Sequence, residues 1–274
     1  MYLKIMLQNI KNTIYKNKLF RKLYEKTLLN LCKKVEFLEE NLTYKIDTDK
    51  ILKDENIQKK FFEIDKEIKK LELPNLTGGL SPDDQRLLCN IINVFNPKKV
   101  LEIGTHIGSS TVSIALAMHE KNTEYFIKTV DLKDVNDEIK KPWLDFKSNN
   151  SPRNNLKFLN VDKFVEFKKS DSLNFLKEET EKYDFIFLDG SHRADYVYKE
   201  LALASQLLNP NGVILLHDYY ENSNPIPGPH EAFKRANKEN KLIGIYNFAN
   251  LPWIKKSNGC DSSIAILYKK LNVI

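Results

Sequence analysis

At 274 residues, 42% hydrophobic and 29% charged, the chain has room for one well-buried α/β core with an extension, and its composition excludes a disordered or fibrous protein. The formal net charge is a modest +6, from 43 Lys and Arg against 37 Asp and Glu, and does not by itself call for a nucleic-acid partner. Three scattered cysteines, Cys32, Cys89 and Cys260, give neither a disulfide framework nor a CxxC knuckle; with no spanning apolar run and no secretory signal pattern, a cytoplasmic location is expected.

The basic excess belongs to the first 34 residues, where nine Lys and Arg face a single acid, Glu25. Ile10, Ile14, Leu19, Leu23, Leu28, Leu31, Val35 and Leu38 recur at spacings of three to five, which predicts one or two amphipathic helices over roughly residues 3–40. Their apolar face is expected to pack on the main domain or on a second copy of the chain; a peripheral membrane surface is the alternative, and no base-reading module is present. The charged stretch from Asp49 predicts a further helix ending before Pro74, so residues 1–76 form a basic helical extension.

A second unit, 77–274, opens at TGGLSPDDQ, where Ser81 suits an N-cap, Pro82 the first helical position, and Asp83 and Asp84 the positive helix end. From there KKVLEIG, YFIKTVDL, KFVEFKKS, YDFIFLDG, GVILLHDY, KLIGIYNF and SSIAILYKKL read as seven strands, with helices at SSTVSIALAMHE, SLNFLKEE and DYVYKELALASQLL. This alternation predicts a doubly wound, mostly parallel sheet covered on both faces; the last connection is too short for a crossover helix, so the last strand should run antiparallel. The polar segments 133–155 and from Asn222 read as loops: Trp143 and Phe146 could offer ring faces to a ligand, and Phe233 and Trp253 could line a cleft or fill the core.

VLEIGTHIGSST is a strand running into a ligand-binding turn, with Gly104 and Gly108 allowing close backbone approach and Ser109 opening the next helix. It has neither GxGxxG nor GK[ST], and Glu102 would repel a diphosphate but attract an ammonium or sulfonium group, which counts against a dinucleotide-dependent oxidoreductase. His106 could be a pocket residue, but it reads first as an exposed turn histidine. Asp131 ends the second strand, where a carboxylate can accept from both ribose hydroxyls, and Asp171 either caps the next helix or lies beside an adenine ring.

Asp189 and Asp218 each follow a buried strand, and in an open parallel sheet such ends share one crevice. Paired carboxylates there suit Mg²⁺, with Mn²⁺ as the alternative. His192 could remove a proton from a substrate hydroxyl, bind metal or cap a loop. His217 is either buried against a helix or, if the strand end turns it round, a third metal ligand, and Tyr219 could orient substrate.

Through these motifs the sequence, over about residues 77–270, resembles the class I S-adenosylmethionine-dependent methyltransferases, particularly metal-dependent small-molecule and sugar O-methyltransferases. The resemblance implies a Rossmann-like methyltransferase fold. It gives Glu102, Gly104, Thr105, Gly108 and Ser109 to the methionine part of S-adenosylmethionine, Asp131 to the ribose and Asp171 to the adenine. Asp189 would serve both cofactor and metal, Asp218 the metal with His217 as a possible companion, and His192 the proton of a small-molecule or glycan hydroxyl acceptor. Tyr219 and His217 depart from the residues common in relatives, asparagine after and glutamate before the second metal aspartate. A non-catalytic binding or assembly protein that keeps the fold is the rival reading.

Overall fold

The computed structural model describes residues 17–74, 79–120, 124–221, 226–248 and 263–270. Seven apolar runs pair into one sheet: β1 (Lys99–Ile103), β2 (Phe126–Asp131), β3 (Val165–Lys169), β4 (Tyr183–Leu188), β5 (Leu208–Leu216), β6 (Ile243–Asn247) and β7 (Ala265–Lys269). Their spatial order is β3-β2-β1-β4-β5-β7-β6, parallel except for β7, which runs antiparallel to both neighbours. The order reverses between β1 and β4, whose carboxyl ends therefore open a crevice.

Side chains alternate along each strand and bury both faces. Val100, Phe185, Phe187, Val213 and Leu215 pack to one side, under helices α4 (Pro82–Phe95), α5 (Ser109–His119) and α6 (Pro152–Phe158). Leu101, Ile103, Ile186, Leu188, Ile214 and Leu216 pack to the other, under α7 (Ser172–Glu178), α8 (Ala194–Leu207) and α9 (Gly228–Glu239). Ser81 caps α4 as its composition predicts, its Oγ accepting from Asp84 N at 3.1 Å.

The extension contributes to both cores. Helix α1 (Lys18–Asn30) lies on α8 and α9 through Leu29, while α2 (Thr48–Lys53) and α3 (Glu55–Lys69) insert Ile51, Phe61, Ile64 and Ile68 beside α4. Between them Leu42, fully buried, bridges to Gly212 at the start of β5. The helix expected to reach residue 40 stops at Asn30, because the backbone beyond it finds partners on α8: Val35 N donates to Tyr198 Oη at 3.1 Å and Leu38 N to Ser205 Oγ at 2.9 Å. The helix expected from Asp49 is broken at Asp54, whose carboxylate accepts from Asn56 N and Ile57 N and starts α3 afresh. The part of the first predicted helix before Asn17 lies outside the described residues.

Two helices replace expected loops. Ser151 caps α6 with Pro152 at its first position, and α9 carries Ala232, Phe233 and Ala236 into the core. Phe233 thus fills the core and packs edge-on against Tyr219. Trp253 lies outside the described residues.

Candidate active site

A cavity of ≈ 650 Å³ opens at the β1/β4 switch point, lined by Gly104, His106, Asp131, Asp171, Asp189, His192, His217 and Asp218 among others. Its floor is set by backbone. Asp189 N donates to Ile103 O and Gly104 N to Val130 O, both at 2.8 Å, which draws the ends of β4, β1 and β2 together. Gly104 has φ 103°, and a Cβ there would lie 2.3 Å from the Asp189 carbonyl oxygen, so only glycine fits.

The two strand-end acids and His192 converge. His192 Nε2 lies 2.7 Å from Asp218 Oδ2, and one ligand atom from each of Asp189, His192 and Asp218 lies within 4.8 Å of the others. Asp218 adopts φ 53°, in the left-handed region, immediately after β5 ends. His217 keeps the alternation of β5, edge-on to Phe187 and buried against α4 where it faces Asp84, and both His217 and Asp218 line the cavity.

His217 is held at both ring nitrogens. Nδ1 lies 2.8 Å from Asp189 Oδ1 and Nε2 3.4 Å from Asp84 Oδ2. Burial alone would lower its pKa, but the charges and hydrogen bonds of Asp189 and Asp84 prevail and raise it well above the ordinary histidine value. Both ring nitrogens of His217 face carboxylates, and the three-donor cluster of the described residues is formed by Asp189, His192 and Asp218. For His192, too, burial lowers the pKa while the hydrogen bond and charge of Asp218, with Asp189, raise it overall; Asp218 is pushed up by burial but held below the usual range by its histidine neighbours.

Other candidates divide by position. Asp131 faces the cavity with each oxygen already accepting one backbone hydrogen bond at 2.9 Å, from His106 N and Lys133 N. Asp171 does both things expected of it, capping α7 through Asn174 N at 3.1 Å and lining the cavity. His106 is not exposed: it adopts φ 50°, lines the cavity and packs against the Phe146 ring with centroids 4.0 Å apart. Trp143 is buried and lines the same wall.

Glu102 turns away. It is fully buried beneath the turn, its Oε2 accepting from Thr111 and Thr129 hydroxyls at 2.5 Å, and burial lifts its pKa to about 7 despite those donors. Thr105 Oγ1 lies 2.6 Å from Thr129 Oγ1 in the same network, so its side chain also misses the cavity. Gly108, at φ 80°, makes room for Pro152, whose Cβ would be 2.8 Å from an added Cβ, and Ser109 Oγ accepts from Leu80 N at 3.4 Å. These four residues support the turn from behind, whereas Gly104 and His106 present it to a ligand.

Tyr219 is buried between His230 and Phe233, and the next residue, Tyr220, hydrogen-bonds Asp218 instead. Asp84 is the residue sequence reasoning missed. Buried at the start of α4, it accepts from Ser263 N at 2.9 Å as well as facing His217, tying α4 and the start of β7 to the site. Gly228, the first residue of α9, closes the far side: a Cβ there would lie 1.8 Å from His192 O.

Comparison with known proteins agrees with this geometry. A family model described as a methyltransferase domain matches residues 101–219, from β1 to just past Asp218. The tapetum-specific methyltransferase 1 of Arabidopsis thaliana is 26% identical over 176 residues, covering 60% of this chain and 68% of that one. Among solved structures, an O-methyltransferase from Bacillus cereus in complex with SAH superposes with TM-score 0.54 at 18% identity, over 77% of this chain and 91% of that one. The O-methyltransferase TomG from Streptomyces achromogenes, in complex with SAM, gives 0.52 at 16%, over 80% and 91%. The chain therefore has the class I S-adenosylmethionine-dependent methyltransferase fold, similar to that of the solved O-methyltransferases.

Proposed function

We propose that the protein transfers the methyl group of S-adenosylmethionine to a hydroxyl of a small molecule or sugar. The observation that carries this reading is the convergence of Asp189, His192 and Asp218 at the mouth of a cavity whose floor is Gly104. The cavity suits the donor: the glycine floor admits the methionine part, Asp131 keeps lone pairs for ribose hydroxyls, and Asp171 with Trp143 borders the place for a base. Two carboxylates and an imidazole fit a divalent cation, Mg²⁺ or Mn²⁺. When bound, such a cation would acidify a neighbouring hydroxyl and offset developing negative charge.

The chain's own residues supply position and a proton acceptor. Neutral His192, its Nε2–H donating to Asp218 Oδ2 at 2.7 Å, takes the hydroxyl proton at its other ring nitrogen as the oxygen attacks the methyl carbon in line with the departing sulfur. Asp84 and Asp189 fix the His217 ring beside them. Trp143 and Phe146 restrict water on the opposite wall.

Titration of the purified protein with S-adenosylmethionine, followed by methyl transfer to a panel of hydroxyl acceptors with and without Mg²⁺, tests the proposal. Saturable binding and metal-stimulated transfer are expected. Absent binding sinks it in favour of a non-catalytic protein, and tight NAD binding instead would favour an oxidoreductase. The same cluster favours a second role for His192, as a cation ligand. Calorimetric Mg²⁺ titration of His192→Ala separates the two: a base leaves metal affinity near wild type, a ligand does not.

A further inference from the structure

Helix α1 is docked on one side only. Glu25 is 1% exposed, its Oε2 accepting from Ala194 N at 2.7 Å, and Leu29 is buried beside it. Arg235 from α9 reaches the carbonyls of Leu29 and Cys32. Among the described residues the opposite side has no such cover: Leu31 is 80% exposed, Leu19 66%, and Phe20 and Leu23 are each more than half exposed. At about 100° per residue these four share one arc of the helix surface. Lys26 lies at one edge of that arc and Lys33 and Lys34 follow its end, while Lys18 and Lys22 lie further round the helix, Lys22 reaching Glu231 Oε1 at 3.6 Å; all five are exposed.

Charge decides what this face fits. Glu25 is the sole acid among the first 34 residues, and it points inward. The sixteen residues before Asn17 add Lys4, Lys11 and Lys16, no acid, and nine apolar residues by composition. A two-fold contact between two copies would oppose two such segments, each of net charge +8, with no acid to separate them. An apolar ridge edged by lysines matches instead the boundary between acyl chains and anionic headgroups.

We propose that the outward face of α1, with the lysines that follow it, is a docking surface for an anionic lipid bilayer, on which the protein lies peripherally. Co-sedimentation of the full chain with phosphatidylcholine vesicles, with and without about one third phosphatidylglycerol, tests this. Binding about tenfold tighter to the anionic vesicles, and falling with added salt, is expected. The triple variant Leu19→Ser, Phe20→Ser, Leu23→Ser and the double variant Lys18→Glu, Lys26→Glu should each lose vesicle binding while keeping the wild-type melting temperature, since the side chains are exposed.

Four results would overturn the proposal: equal binding to both vesicle types, wild-type vesicle binding by the apolar variant, equal binding to a random DNA duplex, or a wild-type dimer in light scattering that the apolar variant converts to monomer. None of these readouts depends on methyl transfer, so the proposed activity stands or falls separately.

Discussion

Replacing Glu25 with alanine removes the side chain that, among the described residues, caps the start of α8, because Arg193 at the N-cap makes no such bond. The lost contact is a charged hydrogen bond of 2.7 Å between two buried groups. Such bonds contribute about 1.5–3 kcal/mol, and a carboxylate at a helix N-terminus adds about 0.5–1 kcal/mol. Against this stands the burial of the carboxylate, which raises its pKa and takes back part of the gain. A net loss of about 2 kcal/mol for Glu25→Ala follows, or about 4–8 °C in melting temperature for a domain of this size. Glu25→Gln keeps an acceptor oxygen at nearly the same place and should stay within about 1 kcal/mol of wild type. Thermal denaturation followed by far-UV circular dichroism measures both, and hydrogen exchange at the Ala194 amide should accelerate in the alanine variant alone. If alanine and glutamine behave alike, or Ala194 exchanges no faster, the cap is not what holds the extension on α8.

The remaining expectations concern the site and the core beneath it. Burial lifts Glu102 and Glu200 from 4.5 to about 7; the folded state thus holds both protons more tightly, and the stability they give is complete below pH 4.5 and lost as pH rises through 7. Each loss is bounded by roughly 3 kcal/mol, so the melting temperature should fall between pH 5 and 8, and the double variant Glu102→Gln, Glu200→Gln should flatten that fall; an unchanged slope refutes the assignment. Gly104→Ala should cost at least about 2 kcal/mol and abolish S-adenosylmethionine binding, since its Cβ meets the Asp189 carbonyl; calorimetry showing wild-type affinity would contradict that. Because the acids around His192 raise its pKa, transfer should climb with pH above 6.5, and His192→Ala should lose about 10²- to 10⁴-fold together with that limb. Asp218→Asn should end metal stimulation with the S-adenosylmethionine dissociation constant little changed, and persisting stimulation in a transfer assay would remove Asp218 from the metal site.

What could be read from residue order was whatever a short window encodes. Most strands announced themselves through an apolar run, β3 only through Val165 and Phe167 alternating with charged residues, and the short last connection gave the antiparallel β7. The strand-mouth acids were legible because a parallel sheet gathers such positions wherever the intervening helix leads. Glu102 was not, because both faces of β1 are buried and apolar neighbours on either side give no hint of which way a carboxylate points. Helix α9 begins with Gly228 and Pro229 and turns mostly small side chains inward, so its pattern resembles a loop. Asp84 meets a histidine 133 positions away, a contact no local pattern announces.

The way the extension is fastened bears on how the molecule comes to be folded. Leu29 and Cys32 are secured by Arg235, Val35 by Tyr198 and Leu42 by Gly212, partners up to 206 positions further along. At about 5–20 residues per second, a ribosome needs on the order of 10–40 s to deliver the last of them. During that interval the amphipathic segment has no permanent seat, and closing so long a loop is slow by topology alone. Synthesised before every element that anchors it, the stretch from Leu29 to Leu42 cannot complete its docking until Arg235 has emerged.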